Sequence, residues 1–263
     1  MTFQETTEAR LKLGVHLAEK FLAQKPWANL DPEADVTFEA IMLFFFCKSY
    51  KTYQAIAVLW RAGFYEDAPL LTRTLFEIWM QAAYIGKSPK ERAREFQEHD
   101  PVRMYRAYLA LKKHGEHSLT AVFESRHDFA EIERQHYLRD ATSHSWWFGR
   151  SLHSLANKLG FPFDKEYLVG YWWQSNLVHS SVTSMQHYAT DSLELNCHPG
   201  NREPGLDVKI APKSATAYFI SITQEISEAL HIDMRADVQL AWTGLQGTRC
   251  RLEDDGLTRW RKQ

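Results

Sequence analysis

The chain has 263 residues, of which 44% are hydrophobic, and its 31 Lys and Arg against 33 Asp and Glu give a formal net charge of −2. This balance excludes a global electrostatic attraction to nucleic acid or to a membrane surface, but it does not exclude a local basic patch. The three distant cysteines, Cys47, Cys197 and Cys250, form no CxxC pair and fit a reducing compartment better than a disulfide framework. The polar N-terminus is unlike a signal peptide, and the longest apolar run, residues 41–47, is much shorter than the ~20 residues of a membrane-spanning helix. We therefore expect a soluble, cytoplasmic protein that does not enter a membrane.

Helical periodicity dominates the chain, and strand patterns are scarce. Helices are predicted over residues 5–24, 36–61 and 67–86, the last with Pro69 in its first turn, where the missing N–H costs nothing. A fourth helix, opened by Ser88 and Glu91 at capping-box spacing, should reach Gly115 and kink or break near Pro101. Further helices are predicted over residues 118–138, 151–159, 164–189 and 213–236.

Residues 191–212 interrupt this pattern, because their Asn, Pro and Gly residues are typical of turns. We expect an irregular exposed loop or a small hairpin there. No internal repeat and no shift in composition marks a domain boundary. The sequence thus predicts an all-α single domain over residues 1–250, with about seven or eight helices, and a peripheral C-terminal segment over residues 251–263.

Arg73 and Glu77 stand out because the rest of their predicted helix is mostly apolar. They are four residues apart, so their side chains share one face. A helix that is apolar on nearly every side is normally buried, and buried charges need partners. The pair is either an intrahelical ion pair that only supports the fold or part of a ligand-binding or catalytic site.

Ser175 and His179 repeat this spacing on another predicted helix with apolar neighbours. A histidine in such surroundings most often has its hydrogen bonds completed within the core. A purely structural role is therefore the alternative to a functional one. If the two helices packed together, each buried polar pair would gain a partner. Glu77 could accept a hydrogen bond from the imidazole and leave Arg73 for a ligand anion. We predict that Arg73 and Glu77 contact Ser175 and His179, although about a hundred residues separate the two pairs.

These positions resemble an uncharacterised bacterial family of helical proteins known as domain of unknown function 5677. The resemblance covers roughly residues 35–190 and is carried by residues 70–77, residues 147–151, Tyr167, Tyr171, Ser175 and residues 178–180. It implies that Arg73, Glu77, Ser175 and His179 are recurring polar positions of the family. It implies no firm activity.

Arg139 and His144 are a second candidate pair, because Arg-x4-His is the spacing found in HEPN ribonucleases. Those all-α proteins use Arg and His to cleave RNA without a metal. A histidine can transfer protons near neutral pH, and an arginine can stabilise the developing phosphorane-like anion. Residues 140–143 look more like a helix end than a helix interior. Residues 174–179 imitate the motif in a better helical setting, but Gln174 stands in the Arg position, so Arg73 would have to supply the guanidinium.

Two functions follow from these patterns. The first is a HEPN-like protein that binds or cleaves RNA or a nucleotide, as a metal-independent ribonuclease in bacterial stress or phage defence. The second is a non-enzymatic interaction or structural module, whose apolar helices, including residues 44–46, support partner or homodimer contacts. No phosphate-binding or dinucleotide motif is present, and Cys197 with His198 lacks further ligands at useful spacing, so neither a cofactor nor a metal is expected.

Overall fold

The computed structural model describes residues 2–28, 30, 37–131, 147–178, 188, 199 and 205–248. These residues form helices and contain no β-strand, which confirms the all-α prediction. The helices are α1 (Phe3–Ala23), α2 (Phe38–Arg61), α3 (Ala68–Gly86), α4 (Pro89–Lys113), α5 (His117–Glu124), α6 (Leu152–Leu159), α7 (Phe163–Glu166), a π-helical turn (Tyr167–Tyr171), α8 (Trp172–Val178), α9 (Leu206–Lys209), α10 (Ala211–Ala229) and α11 (Arg235–Gly247).

Short polar side chains begin several of these helices. Thr2 Oγ1 accepts a hydrogen bond from the Glu5 N–H, and the Glu5 carboxylate accepts one from the Thr2 N–H, so a complete capping box opens α1. The Thr37 and Ser151 hydroxyls cap α2 and α6 by accepting a hydrogen bond from the Ala40 and Ser154 N–H groups, respectively. Pro69 lies in the first turn of α3, as predicted. Ser88 makes no capping hydrogen bond at the start of α4, so the capping box predicted there is not formed.

Two predictions about where the chain leaves a helix need correction. Helix α4 runs without a break through Pro101, so of the kink or break predicted there only a kink remains possible. The helix predicted over residues 118–138 instead ends at Glu124, and a turn follows at Ser125. Charged residues continue beyond this turn, and the pattern of charge alone did not reveal the end of α5.

The C-terminal part of the predicted loop at residues 191–212 is helical. Leu206–Lys209 forms α9 and α10 begins at Ala211, since Pro212 sits in its first turn, where proline is tolerated. Most of the earlier part of that loop lies outside the described residues, as does the C-terminal segment 251–263. The helix predicted to end at residue 236 ends at Ala229, and a separate helix, α11, follows a turn in which His231 has a φ of 56°.

Helix α10 lies at the centre of the packing, in contact with α1, α2, α3 and α11. Its buried apolar side chains include Ala215, Phe219, Ile222 and Ile226. One set of buried hydroxyl groups in this core bonds across helices: Tyr53 Oη of α2 lies 2.8 Å from Thr216 Oγ1 of α10 and 3.1 Å from the Leu11 carbonyl oxygen of α1. The hydroxyl pair therefore joins three helices without leaving an unpaired buried group.

Aromatic rings join α3 to α10 and to the segment around the π-helical turn. Phe76 of α3 packs between Tyr218 and Tyr171, with both ring centroids 5.5 Å away. Trp79, one turn further on, lies 5.9 Å from Tyr218 and 4.4 Å from Phe163. The apolar run at residues 44–46 is divided by the helix, since Phe45 and Phe46 are buried while Phe44 is exposed.

No helix within the described ranges is long and apolar enough to cross a membrane.

Gly170 provides a test of this packing. A Cβ at this position would collide with Tyr218 Oη, whereas a Cβ at Gly86 would meet nothing within 4 Å. We expect Gly170→Ala to lower the free energy of unfolding by about 1–3 kcal/mol, because the Tyr218 ring must shift. Gly86→Ala, at the end of α3, should be neutral or stabilise by up to about 1 kcal/mol. Urea denaturation of both variants measures the difference, and equal values would contradict the close approach.

Candidate functional site

Three polar side chains follow one another along α3 at intervals of one turn. Arg73 Nε donates a hydrogen bond to Glu77 Oε1 at 3.2 Å, and Gln81 Nε2 donates to the Glu77 main-chain carbonyl at 3.2 Å. The Arg73 and Glu77 side chains are only 22% and 18% exposed. The indole N–H of Trp147 completes this row by donating to Gln81 Oε1 at 2.9 Å. The ion pair predicted on α3 is therefore formed, and it is largely withdrawn from water.

Tyr171, at the end of the π-helical turn, completes the environment of the ion pair. Its hydroxyl donates to Glu77 Oε1 at 3.0 Å, and the Arg73 guanidinium lies over its ring, 4.7 Å from the centroid. Burial and the Glu77 carboxylate raise the pKa of Tyr171, although Arg73 acts in the opposite direction. The phenol therefore stays protonated at neutral pH, so Glu77 Oε1 receives hydrogen bonds from two directions.

A column of stacked rings leads from this ion pair to the surface. The Tyr171 and Tyr167 centroids are 5.1 Å apart with planes inclined by 23°, and Tyr167 stacks in turn on His153 of α6 at 5.0 Å and 21°. Tyr171 is buried and His153 is exposed. The planar Arg73 guanidinium lies at the inner end of this aromatic column.

The Arg73 guanidinium donates to Glu77 Oε1 through Nε, and a hydrogen bond with the same guanidinium acts to lower the pKa of Tyr171. A nearby amide side chain has polar groups left over. Gln174 of α8 is 1% exposed, and neither its Oε1 nor its Nε2 has a partner among the described residues. A buried amide without partners is rare in folded proteins and costs free energy. Both amide atoms are also withdrawn from solvent, so a bound molecule could reach them only if the side chain moved.

The predicted cluster is only partly within the described residues. Helix α8 packs against α3, and its residue Ser175 is half-buried, but no hydrogen bond joins Ser175 to Arg73 or Glu77. The described partner of Glu77 on this side is Tyr171, one turn before Ser175. His179 and the second candidate pair, Arg139 and His144, lie outside the described residues.

Sequence reasoning did not identify several members of this region. Tyr171 was noted only for its position in the resemblance, and the roles of His153 and Gln81 were not predicted. The spacing of Tyr167, Tyr171 and Ser175 by four residues was a visible signal. The π-helical turn, however, adds a residue to the helical repeat there, so a regular α-helical pattern could not show which residue meets Glu77.

The contribution of the buried ion pair can be compared with an exposed one on α4. Arg94 and Glu98 have the same four-residue spacing but are 71% and 52% exposed. We expect Glu77→Gln to lower the free energy of unfolding by about 1–3 kcal/mol, because both Arg73 and Tyr171 lose a charged acceptor. Glu98→Gln should change it by at most about 0.5 kcal/mol. Equal losses in urea denaturation would show that Glu77 does not organise the cluster.

No curated protein and no solved structure matches this chain. Residues 39–194 match the family described as "Family of unknown function (DUF5677)". The matched region is more than half of the chain and contains the ion pair, Tyr171 and Ser175, while α1, α10 and α11 lie outside it. The chain therefore belongs to the DUF5677 family.

Proposed function

We propose that this protein binds a phosphate-bearing nucleotide unit, in RNA or as a free nucleotide, at the Arg73–Glu77–Tyr171 cluster. The observation that carries the proposal is the position of the Arg73 guanidinium, held by Glu77 through its Nε, at the inner end of the aromatic column. A nucleotide combines an anion with a flat ring, and this site combines a cation with stacked rings.

Phosphate is the part of the ligand that Arg73 is suited to bind. A guanidinium presents paired N–H groups in a fixed plane, which matches two phosphate oxygens. Glu77 occupies the Nε side and Tyr171 covers one face, so the arginine is held in one orientation before a ligand arrives. A preorganised group loses less conformational entropy on binding than a flexible surface lysine.

The base is the part that the aromatic column supports. Stacking of a base on an aromatic side chain contributes about 1–3 kcal/mol and tolerates any base, because every base has a flat face. His153 and Tyr167 provide stacked rings near the surface, and Trp172 and Trp173 at the start of α8 are 52% and 38% exposed. This arrangement favours a flexible single strand or a nucleotide over a rigid duplex.

Cleavage of RNA is the chemistry that His179 would add, since it follows α8 directly in sequence. An imidazole can take the proton of a ribose 2′-hydroxyl while the 2′-oxygen attacks the neighbouring phosphorus. The 5′-oxygen then leaves and takes up the proton that the imidazolium returns, and the products carry a 2′,3′-cyclic phosphate and a 5′-hydroxyl. Arg73 would stabilise the charge on the phosphorane. A metal-independent ribonuclease of this kind would suit bacterial stress response or phage defence.

The role of Arg73 is tested by fluorescence anisotropy with a labelled single-stranded RNA in EDTA, and by competition with AMP and with inorganic phosphate. We expect Arg73→Ala to weaken RNA binding by about tenfold or more, and added salt to weaken wild-type binding. Arg235→Ala is the matched control, because Arg235 also pairs with a carboxylate through Nε but is 87% exposed. Its affinity should equal that of the wild type.

Further variants in the same assays separate base stacking, phosphate binding and RNA cleavage. Tyr167→Ala should weaken AMP binding while leaving inorganic phosphate unchanged, and His179→Ala should abolish any cleavage products while RNA binding persists. Absence of binding to RNA, AMP and phosphate by the folded wild type would refute the proposal and favour a non-enzymatic interaction or structural module. Equal binding by wild type and Arg73→Ala would place the ligand elsewhere and also refute it.

Gln174 gives a second test, in which stability and binding change in opposite directions. Gln174→Leu should raise the free energy of unfolding by about 1–3 kcal/mol, because it removes a buried amide without partners, and it should weaken RNA binding. Gln81→Leu is the matched control, since both amide groups of Gln81 are hydrogen-bonded and its replacement should destabilise the protein. A loss of stability in Gln174→Leu would contradict the assignment of its amide to a ligand.

A further inference from the structure

One face of the helical segment that runs from α7 into α8 is exposed and mostly apolar. The exposed residues among 163–175 are Lys165, Leu168, Val169, Trp172 and Trp173. Their intervals of three, one, three and one residues are those of a single helix face. The buried residues of the same segment, which face the protein, are Phe163, Gly170, Tyr171 and Gln174. We call the exposed face the tryptophan stripe.

The tryptophan stripe presents large rings to solvent. The ring centroids of Trp172 and Trp173 lie 6.1 Å apart with planes inclined by 42°, so the two indoles form a broken platform. Leu168 and Val169, 60% and 61% exposed, continue the apolar surface beside them. Single exposed apolar residues are ordinary on a protein surface, but four that share one helix face are typical of a binding surface.

The stripe is continuous with the proposed nucleotide site. Trp172 follows Tyr171 directly in the chain, and successive residues of a helix point about 100° apart. Tyr171 therefore lies against Arg73, while Trp172 faces solvent. A ligand whose phosphate is bound by Arg73 has the stripe on the adjoining surface.

A single base does not use all of these rings. Within the aromatic column, Tyr171 already contacts Arg73 and Tyr167, and Tyr167 contacts both Tyr171 and His153. The exposed ring of the column is that of His153. A first base can therefore stack at His153, and Trp172 and Trp173 are left for a second one.

Lys165 gives the stripe a positive charge at its N-terminal end. The carboxylates on either side of it in sequence are engaged elsewhere: Asp164 Oδ1 accepts from the Lys165 main-chain N–H at 2.7 Å, and Glu166 Oε2 accepts from the buried Tyr218 hydroxyl at 3.1 Å. The charge and the rings suit a phosphate and a base. A membrane surface suits them less well, because interfacial helices carry Lys and Arg in larger numbers.

We infer that the ligand of the Arg73 site is an unpaired strand of at least two nucleotides, whose second base stacks on Trp172 and Trp173. This inference rests on the proposed function and goes further, because it selects an oligonucleotide over a free nucleotide. Every base has a flat face, so an indole platform accepts any base, and Lys165 attracts the neighbouring phosphate. The bases of a duplex are stacked on one another and cannot use the platform.

Tetra-adenylate and AMP are the probes, titrated into the full chain in EDTA by isothermal calorimetry. We expect the wild type to bind tetra-adenylate about tenfold or more tighter than AMP, because a further base is stacked. Trp172→Ala should remove most of this gain and leave the affinity for AMP unchanged. Trp27→Ala is the matched control, since Trp27 is 51% exposed against 52% for Trp172 but lies beyond the end of α1. It should keep both affinities.

The outcomes distinguish this inference from the proposed function. Equal affinities of the wild type for tetra-adenylate and AMP would overturn the inference, as would an undiminished gain in Trp172→Ala. In either case, AMP binding that is lost in Arg73→Ala would leave the proposed function standing. Absence of binding by both probes would refute the proposed function, and the inference with it. Circular dichroism confirms that each variant is folded before its titration.

Two further measurements test the occupant of the stripe. Lys165→Gln should reduce the salt dependence of tetra-adenylate binding, because one phosphate contact is lost, and an unchanged dependence would contradict the part assigned to Lys165. Sedimentation velocity tests whether a second copy of the chain covers the stripe instead. The wild type should sediment as a monomer at micromolar concentration. A wild-type dimer that Trp172→Ala dissociates would overturn the inference.

Discussion

The packing of α3 against α10 is the constraint on which the candidate site depends. Phe76 lies between Tyr171 and Tyr218, and Trp79 packs on the Tyr218 ring. Large aromatic rings bury much apolar surface and allow few alternative arrangements, so these contacts fix the rotation of α3 about its axis. That rotation turns Arg73 and Glu77 towards Tyr171.

Gly170 permits the close packing of Tyr218 of α10 against the π-helical turn. Tyr218 Oη approaches the position where a Cβ would stand, and the same hydroxyl donates to Glu166. The π-helical turn that contains Gly170 ends at Tyr171, which donates to Glu77. One short segment therefore contacts Tyr218 through Gly170 and Glu77 through Tyr171. Its irregular hydrogen bonding is a local cost that the surrounding aromatic contacts offset.

Glu77 shows why a largely buried charge can be tolerated in an apolar helix. A carboxylate withdrawn from water needs compensation close to its oxygens, and Arg73 and the Tyr171 hydroxyl both donate to Oε1. The Glu77 carboxylate thus binds the Arg73 guanidinium at its Nε edge. Stability and function are thus not exclusive explanations for this pair, because the same contact that neutralises Glu77 orients the remaining donors of Arg73.

Much of the helical framework could be predicted from the sequence, because helical periodicity and terminal signals act over a few residues. The bounds of α2, α3 and α6 follow closely from apolar spacing, Pro69 and Gly160. The end of α5, the continuity of α4 and the separate helix α11 could not be predicted in the same way. In those places composition changes little, and packing against other helices decides where the chain turns.

The sequence by itself determined that Arg73 and Glu77 share a helix face and that such a pair needs a further partner, since both statements follow from helix geometry and the cost of burying charge. Only the tertiary structure decided that Tyr171 is a partner, that His153 and Tyr167 extend it into a column, and that Trp172 and Trp173 are exposed. Glu77, His153 and Tyr171 are distant in the chain. Their meeting depends on how α3, α8 and α10 rotate against one another, which large aromatic side chains settle only when the helices pack.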